Sequence, residues 1–360
     1  MISNDVLNRI RQAERESHLE VYSAKELYEA GSWLAKPVKT VLDILPLFDG
    51  YEKFCALDLG SGVGRNSIPV AQYFKDISCR VDCVDILEYA VERLRGNAKR
   101  FGVESGIHGV VSSIDEYEIE IDRYDLILAV SALEHVDSEH TFLEKLQQIR
   151  DGLRIGGVTC LIVNSGVVER DSVTGEELQP QFEVNLPTDK LVDILNRTFY
   201  GYTVVKQTTA HQRFTIPRGE RTADLETDVV TLVVRKDPQA LFELAMNHIY
   251  GNGVPEDNEL AVKLLTHAYD MGHVEAAYNL GICYHYGHGT QVDLEKAYAL
   301  YLESANAGYG KGMELVGRFY NRGIYVDRDP EKAELWLRKA MESSDSDAVE
   351  VARTELLRNS

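Results

Sequence analysis

Two periodicities divide the chain near residue 236. Before it, short apolar runs of strand type are separated by stretches with helical spacing, such as TFLEKLQQIRDGL at 141–153. The runs are FCALDL at 54–59, CRVDCVDIL at 79–87, GVVSSI at 109–114 and YDLILAV at 124–130. An R-I-G-G turn leads into a fifth run, and Tyr202–Thr208 and Asp228–Arg235 supply two more. Strands alternating with helices predict an α/β domain on a doubly wound, largely parallel sheet, with its ligand beyond the strands' carboxyl ends. Ahead of the first strand, VYSAKELYEAGSWLAKPV at 21–38 contains Tyr22, Tyr28 and Trp33. That stretch predicts either an amphipathic helix packed on the sheet or a lid over the ligand.

From Asp237-Pro238 onward the strand pattern is gone. A shift of 36 residues aligns Ala245 with Gly281 and Gly317, Gly251 with Gly287 and Gly323, and Ala261 with Ala297 and Ala333. Each unit has a helical run, a glycine-rich turn such as YGHGTQVD, and a second helical run such as LEKAYALYLESANAG. Repetition at one fixed period predicts an all-α solenoid over 237–360, after an α/β domain over 1–236 whose first 50 residues are helical.

The candidate chemistry starts at ALDLGSGVGRNS, residues 56–67, on the turn between the first strand and a helix that carries Pro69 in its opening turn. Glycine there permits positive φ and close approach of backbone to a ligand, which leaves nicotinamide cofactors, flavins and S-adenosylmethionine open. Spacing narrows the choice. The dinucleotide pattern is G-x-G-x-x-G, with a diphosphate on the helix N-terminus. Here Gly60, Gly62 and Gly64 alternate, Arg65 stands three after Gly62, and Asp58 precedes the loop with a charge that opposes a diphosphate. A cationic cofactor without phosphate suits it better.

D-L-G-S-G-V-G resembles the first motif of the class I S-adenosylmethionine-dependent methyltransferases, and further motifs follow in that family's order over roughly residues 30–236. The resemblance implies a Rossmann-like seven-stranded sheet whose last strand is antiparallel. It implies Asp58, Gly60, Ser61, Gly62 and Gly64 at the methionine end of the cofactor, Asp85 and Ile86 at the ribose, Ile114 and Asp115 at the adenine, and Ser131 and Leu133 of SALEHV at the end of the fourth strand. The G-R-N-S run is similar to tellurite-resistance and thiopurine-type methyltransferases, which implies a small-molecule acceptor. His135 either accepts a proton from the acceptor or shapes the pocket. Arg65 either begins a helix or meets the methionine carboxylate or substrate. Trp33, Glu134, His211 and Arg218 are further substrate candidates, the last two from a basic hairpin, HQRFTIPRGERTADLET. The repeat pattern A-x-x-L-G-x-x-Y-x-x-G-x-G resembles the Sel-one-like repeat, which implies a surface for a protein or peptide. Unit three departs from it at Tyr325 and Ser344, and Asp347–Leu357 is expected to cap the array.

Composition removes other classes. A net charge of −20, spread over both halves, is poorly suited to nucleic acid. The five cysteines show no C-x-x-C pair, and there is no H-E-x-x-H, so buried thiols and no catalytic metal are expected. No apolar run of membrane-spanning length and no signal-peptide core occurs, which predicts a cytoplasmic protein without a membrane partner. Three functions remain: a methyltransferase for a small molecule, one whose protein acceptor is recruited by the repeats, and a non-catalytic scaffold that senses S-adenosylmethionine.

Overall fold

In the computed structural model, which describes residues 4–218 and 221–358, the run KFCALDL forms the central strand β1 (Lys53–Leu59). Its residues are apolar on both faces because both faces are covered. Phe54 and Ala56 join a core with Val81, Leu126, Val158 and Val233, while Leu57 and Leu59 are buried on the other side. Strands β2 (Ser78–Asp85), β3 (Ile107–Val111), β4 (Tyr124–Val130) and β5 (Leu153–Asp171) run parallel to it. A short β6 (Glu177–Leu178) pairs with the end of β5. The sheet is completed by β7 (Thr203–Arg218) and β8 (Arg221–Arg235), in the order β3-β2-β1-β4-β5-β8-β7, with β8 antiparallel to both neighbours. The expected Rossmann-like sheet with an antiparallel last strand is therefore present. Both closing strands are much longer than the sequence runs indicated, and the hairpin tip at 219–220 lies outside the described residues.

The helices of this unit are α1 (Asn4–Ala24), α2 (Lys39–Ile44), α3 (Ser67–Tyr73), α4 (Glu88–Arg100), α5 (Glu139–Gly152) and α6 (Thr188–Thr198). The N-terminal segment corrects the expected helix at 21–38. Helix ends at Ala24, Tyr28 takes a left-handed conformation at φ +69°, and only a single 3₁₀ turn forms at Trp33–Ala35. The expected third strand also moves: it is Ile107–Val111, because Ser112 and Ser113 already turn away toward Asp115. The chain forms two compact units, Met1–Lys236 and Asp237–Ser360.

The second unit is a stack of helix pairs: α7 (Pro238–Tyr250) with α8 (Asn258–Asp270), α9 (Val274–Tyr286) with α10 (Leu294–Asn306), and α11 (Gly310–Arg322) with α12 (Pro330–Met341). Helix α13 (Ser346–Leu357) follows and packs Ala352 and Leu356 against Leu337 and Ala340. The period is written in the caps. Asp257, Asp293 and Asp329 each accept the backbone N–H three residues on, at 2.9–3.0 Å, satisfying a donor that a helix start leaves open. Ala261, Ala297 and Ala333 are fully buried where paired helices need small residues.

One turn position shows what the stacking demands. Gly253, Gly289 and Tyr325 are in register, all at φ between +63° and +76°. A Cβ at Gly253 would meet nothing within 4 Å, whereas one at Gly289 would lie 2.1 Å from the Asn258 carbonyl at the start of α8 in the preceding unit. Gly253→Ala should therefore cost only the left-handed backbone penalty of about 1 kcal/mol, and Gly289→Ala about 3 kcal/mol, since backbone must move as well. Urea unfolding of the two variants measures the difference; equal losses would show that the close approach is not needed.

Candidate active site

Strands β1 and β4 are neighbours, yet the chain leaves β1 toward β2 and leaves β4 toward β5, on opposite sides of the sheet. Their loops diverge, opening a crevice at the carboxyl edge. A cavity of about 500 Å³ lies there. Gly60, Asp85, Ile86, Ile114, Asp115, Ser131 and His135 all line it. They come from the ends of four strands, so the sheet itself brings them together.

The floor is a backbone turn. Gly60 and Gly62 sit at φ +70° and +53°, and added Cβ atoms would lie 2.6 Å from the Ala132 Cβ and 2.6 Å from the Tyr22 hydroxyl. The amides of Gly60 and Ser61 both donate to the Val84 carbonyl at 2.9 Å, tying the loop to the end of β2. Asp85 completes the tie: its carboxylate accepts the Gly62 N–H at 2.8 Å and the Leu87 N–H at 2.9 Å. Ser131 holds φ +49°, a strained value for a residue with a side chain. Its N–H is anchored on Ile162 O at 2.7 Å.

Several predicted residues lie behind this surface rather than on it. Asp58 is 2 % exposed and accepts a short hydrogen bond from the Ser67 hydroxyl under the loop. Burial pushes its carboxyl up to about 7, against the lowering pull of Ser67 and Arg65. Ser61 Oγ is buried with no hydrogen-bond partner. Leu133 and Glu134 are fully buried. Glu134 accepts from the Asn164 side chain at 2.6 Å, and burial raises its carboxyl. Arg65 and Trp33 brace each other: the guanidinium stacks 5.3 Å from the indole centroid and donates to Trp33 O at 3.0 Å. His211 pairs with Asp228 at 2.9 Å on the exposed edge strand, and Arg218 meets the buried Glu169 at 2.7 Å. None of these lines the cavity.

The roof is α1. Arg11, Arg15, His18 and Tyr22 recur at helical spacing and face the cavity, with Gln12 beside them. Arg11 donates to Asp115 at 2.9 Å and reaches Glu183 at 3.6 Å. Burial raises the Asp115 carboxyl, opposed by the Asp137 N–H and by Arg11. Tyr22 and Trp33 pack edge to face at 5.7 Å, and His18 contacts both rings. Opposite them, His135 Nδ1 lies 3.0 Å from Glu183 Oε2, and its ring stacks on Phe182 at 5.4 Å. Sequence reasoning missed Arg11, Arg15, His18 and Glu183. The i, i+4, i+7, i+11 spacing in α1 was available as a signal; Glu183 carries none.

The fold and the cavity define a methyltransferase-type α/β unit. The methyltransferase domain family matches residues 56–157, and the Sel1 repeat family matches three times, at 238–273, 274–309 and 310–345. The chain therefore carries a methyltransferase domain followed by three Sel1 repeats. Among solved structures it is similar to a Sel1 repeat protein from Oxalobacter formigenes, 29 % identical over 33 % of this chain and 89 % of that one, TM-score 0.30. It is also similar to TehB from Haemophilus influenzae, 17 % identical over 56 % and 62 %, TM-score 0.40. A SAM-dependent methyltransferase from Methanosarcina mazei is 15 % identical over 56 % and 99 %, TM-score 0.40. Among curated proteins nothing matches the chain. Among the described residues, no helix is long and apolar enough to cross a membrane, and no group of three or more His, Cys, Asp or Glu is placed to hold a metal ion.

Asp58 supplies a pH test. An aspartate in an unfolded chain ionises near 4. Between that value and about 7 the native state keeps a proton that the unfolded state has lost, so stability falls as pH rises through this window. The contribution is about 4 kcal/mol. Asp58→Asn should remove that fall, making the variant more stable than wild type at pH 8 and nearly equal at pH 4. Urea unfolding at the two pH values checks it; identical pH slopes would show that Asp58 ionises normally.

Proposed function

We propose that residues 1–236 transfer the methyl group of S-adenosylmethionine to a small-molecule acceptor, and that the repeats at 237–360 bind a protein. The observation that carries the reading is one cavity that joins Asp85, Asp115 and the bare glycine turn to His135 beneath a helical roof. The residues fit the cofactor. Gly60 brings bare backbone to the cavity wall, and Ser61 Oγ just behind it is buried without a partner. In this reading the Asp85 carboxylate, held at the cavity wall by two amides, binds the ribose hydroxyls, and Asp115 binds the adenine amino group. Ile86 and Ile114 supply apolar wall on either side.

When bound, the cofactor supplies a methyl group already activated by its sulfonium. The chain's task is then alignment and exclusion of water, which the α1 roof and the turn serve. A small acceptor is favoured by a cavity of about 500 Å³ walled on one side by Arg11, Arg15, His18 and Tyr22. Cytoplasmic residence remains the reading of the sequence.

Calorimetry tests the assignment. Wild type should bind S-adenosylmethionine and its demethylated product at micromolar concentration. Asp85→Ala should weaken both by about 10-fold or more, as expected for hydrogen bonds to a charged group. Gly62→Arg should abolish binding, since the Tyr22 hydroxyl leaves no room there for even a Cβ. Absence of binding to wild type would overturn the reading.

A further inference from the structure

The cavity wall contains groups with no task in holding a cofactor. On α1, Arg15 and His18 continue the stripe begun by Arg11, and Arg15 makes no ion pair among the described residues. Arg15 lines the cavity while remaining exposed, so its guanidinium is open to an anion. Across from it stand His135 and Glu183. The Glu183 side chain is only 1 % exposed, and it lies between the His135 ring at 3.0 Å and the Arg11 guanidinium at 3.6 Å, whose charge offsets its burial. A carboxylate on Nδ1 fixes the imidazole tautomer, so that Nδ1 carries the proton and Nε2 is the basic nitrogen. Phe182, stacked on the ring, fixes its plane.

We propose that this part of the cavity is an acceptor subsite for a small anion that carries a hydroxyl group. The inference rests on the cofactor reading above. Arg15 meets the anionic group, and His135, positioned by Glu183, takes the hydroxyl proton. The step balances. The oxygen forms a bond to the methyl carbon, its O–H bond breaks toward His135 Nε2, and the pair of the S–CH₃ bond returns to sulfur. A methyl ether, a neutral thioether and an imidazolium result. A carboxylate or thiolate nucleophile is already ionised and needs no such base; a hydroxyl does.

Other charged groups face His135 and must be separated from it: Glu134 beside it, Asp115 and Asp137 from the neighbouring loops, and Arg11, Arg15 and His18 from α1. Histidine NMR titration of the cofactor-free protein does this, with His18→Gln used to assign the second ring. Glu183→Gln removes the charge that favours imidazolium, so the His135 midpoint should fall by about one pH unit.

Turnover is read with labelled S-adenosylmethionine and the small-molecule fraction of a cell extract, split on an anion exchanger. Label should enter compounds of the retained fraction. His135→Gln should lower transfer at least about 100-fold, the usual worth of a positioned base. Glu183→Gln should move the rise of rate with pH downward by the same unit as the NMR midpoint. Arg15→Gln should raise the acceptor KM with little change in kcat. Label confined to the unretained fraction, to protein or to nothing overturns the proposal, as does wild-type transfer by His135→Gln or an unmoved His135 midpoint in Glu183→Gln. Calorimetry on the same variants should show unchanged cofactor binding, and loss of binding by wild type itself would indict the cofactor reading instead.

Discussion

The cavity depends on a stretch of backbone that cannot carry side chains. Between β1 and α3 the chain must turn through left-handed conformations, bring two amides onto the end of β2 and stay within reach of Ala132 and Tyr22. Glycine alone meets all three demands at Gly60 and Gly62. Asp85 locks the result, because one carboxylate holds an amide of the turn and the first amide after its own strand. The crevice is therefore a property of four adjacent strands, β3, β2, β1 and β4.

That constraint explains which parts of the site can be read from the sequence. Where function needs a particular backbone, the residue types are few and their spacing is fixed, so Gly60 stands out from its spacing, while Asp85, Asp115 and Ser131 are legible through the resemblance to the methyltransferase motifs. Helical and strand periods are similarly plain in the core, where both faces of β1 and β4 are covered and the runs are apolar apart from Lys53, Asp58 and Asp125. Side-chain placement is less legible. Asp58 looks like a ligand contact because of its place before the loop, yet it faces Ser67 beneath it. Arg218 belongs to a basic run in the sequence, but the long closing hairpin carries it to the buried Glu169. Such pairings depend on strand register and on which face is covered, and neither is written in a local motif.

The roof shows the same limit from the other direction. Helix α1 contributes Arg11, Arg15, His18 and Tyr22, but its sequence is neither strongly apolar nor marked by a motif. Only the cavity gives those four positions a common meaning. Glu183 is more extreme: it lies in a stretch without regular structure, 48 residues from His135, and only folding brings the two within 3.0 Å. The repeats are the contrasting case. Their period survives in caps and small residues, because each unit must present the same surface to the next. The departure at Tyr325 costs little legibility, since its left-handed φ is retained and its ring lies 5.9 Å from Tyr298.

A division of labour follows. The sheet edge supplies fixed geometry, which one invariant ligand can use, whereas the α1 stripe and the segment carrying Phe182 and Glu183 supply side chains of mixed charge that a variable ligand can select among. Arg11 spans the two, since it contacts Asp115 on the sheet side and Glu183 on the other. The two carboxylates differ in setting: burial raises Asp115, while the Glu183 side chain is enclosed between His135 and Arg11. Any ligand group that takes Asp115 from Arg11 leaves that guanidinium with Glu183 alone. Arg11 on α1 and His135 at the end of β4 thus share one buried carboxylate, Glu183, which ties the helix to the sheet edge.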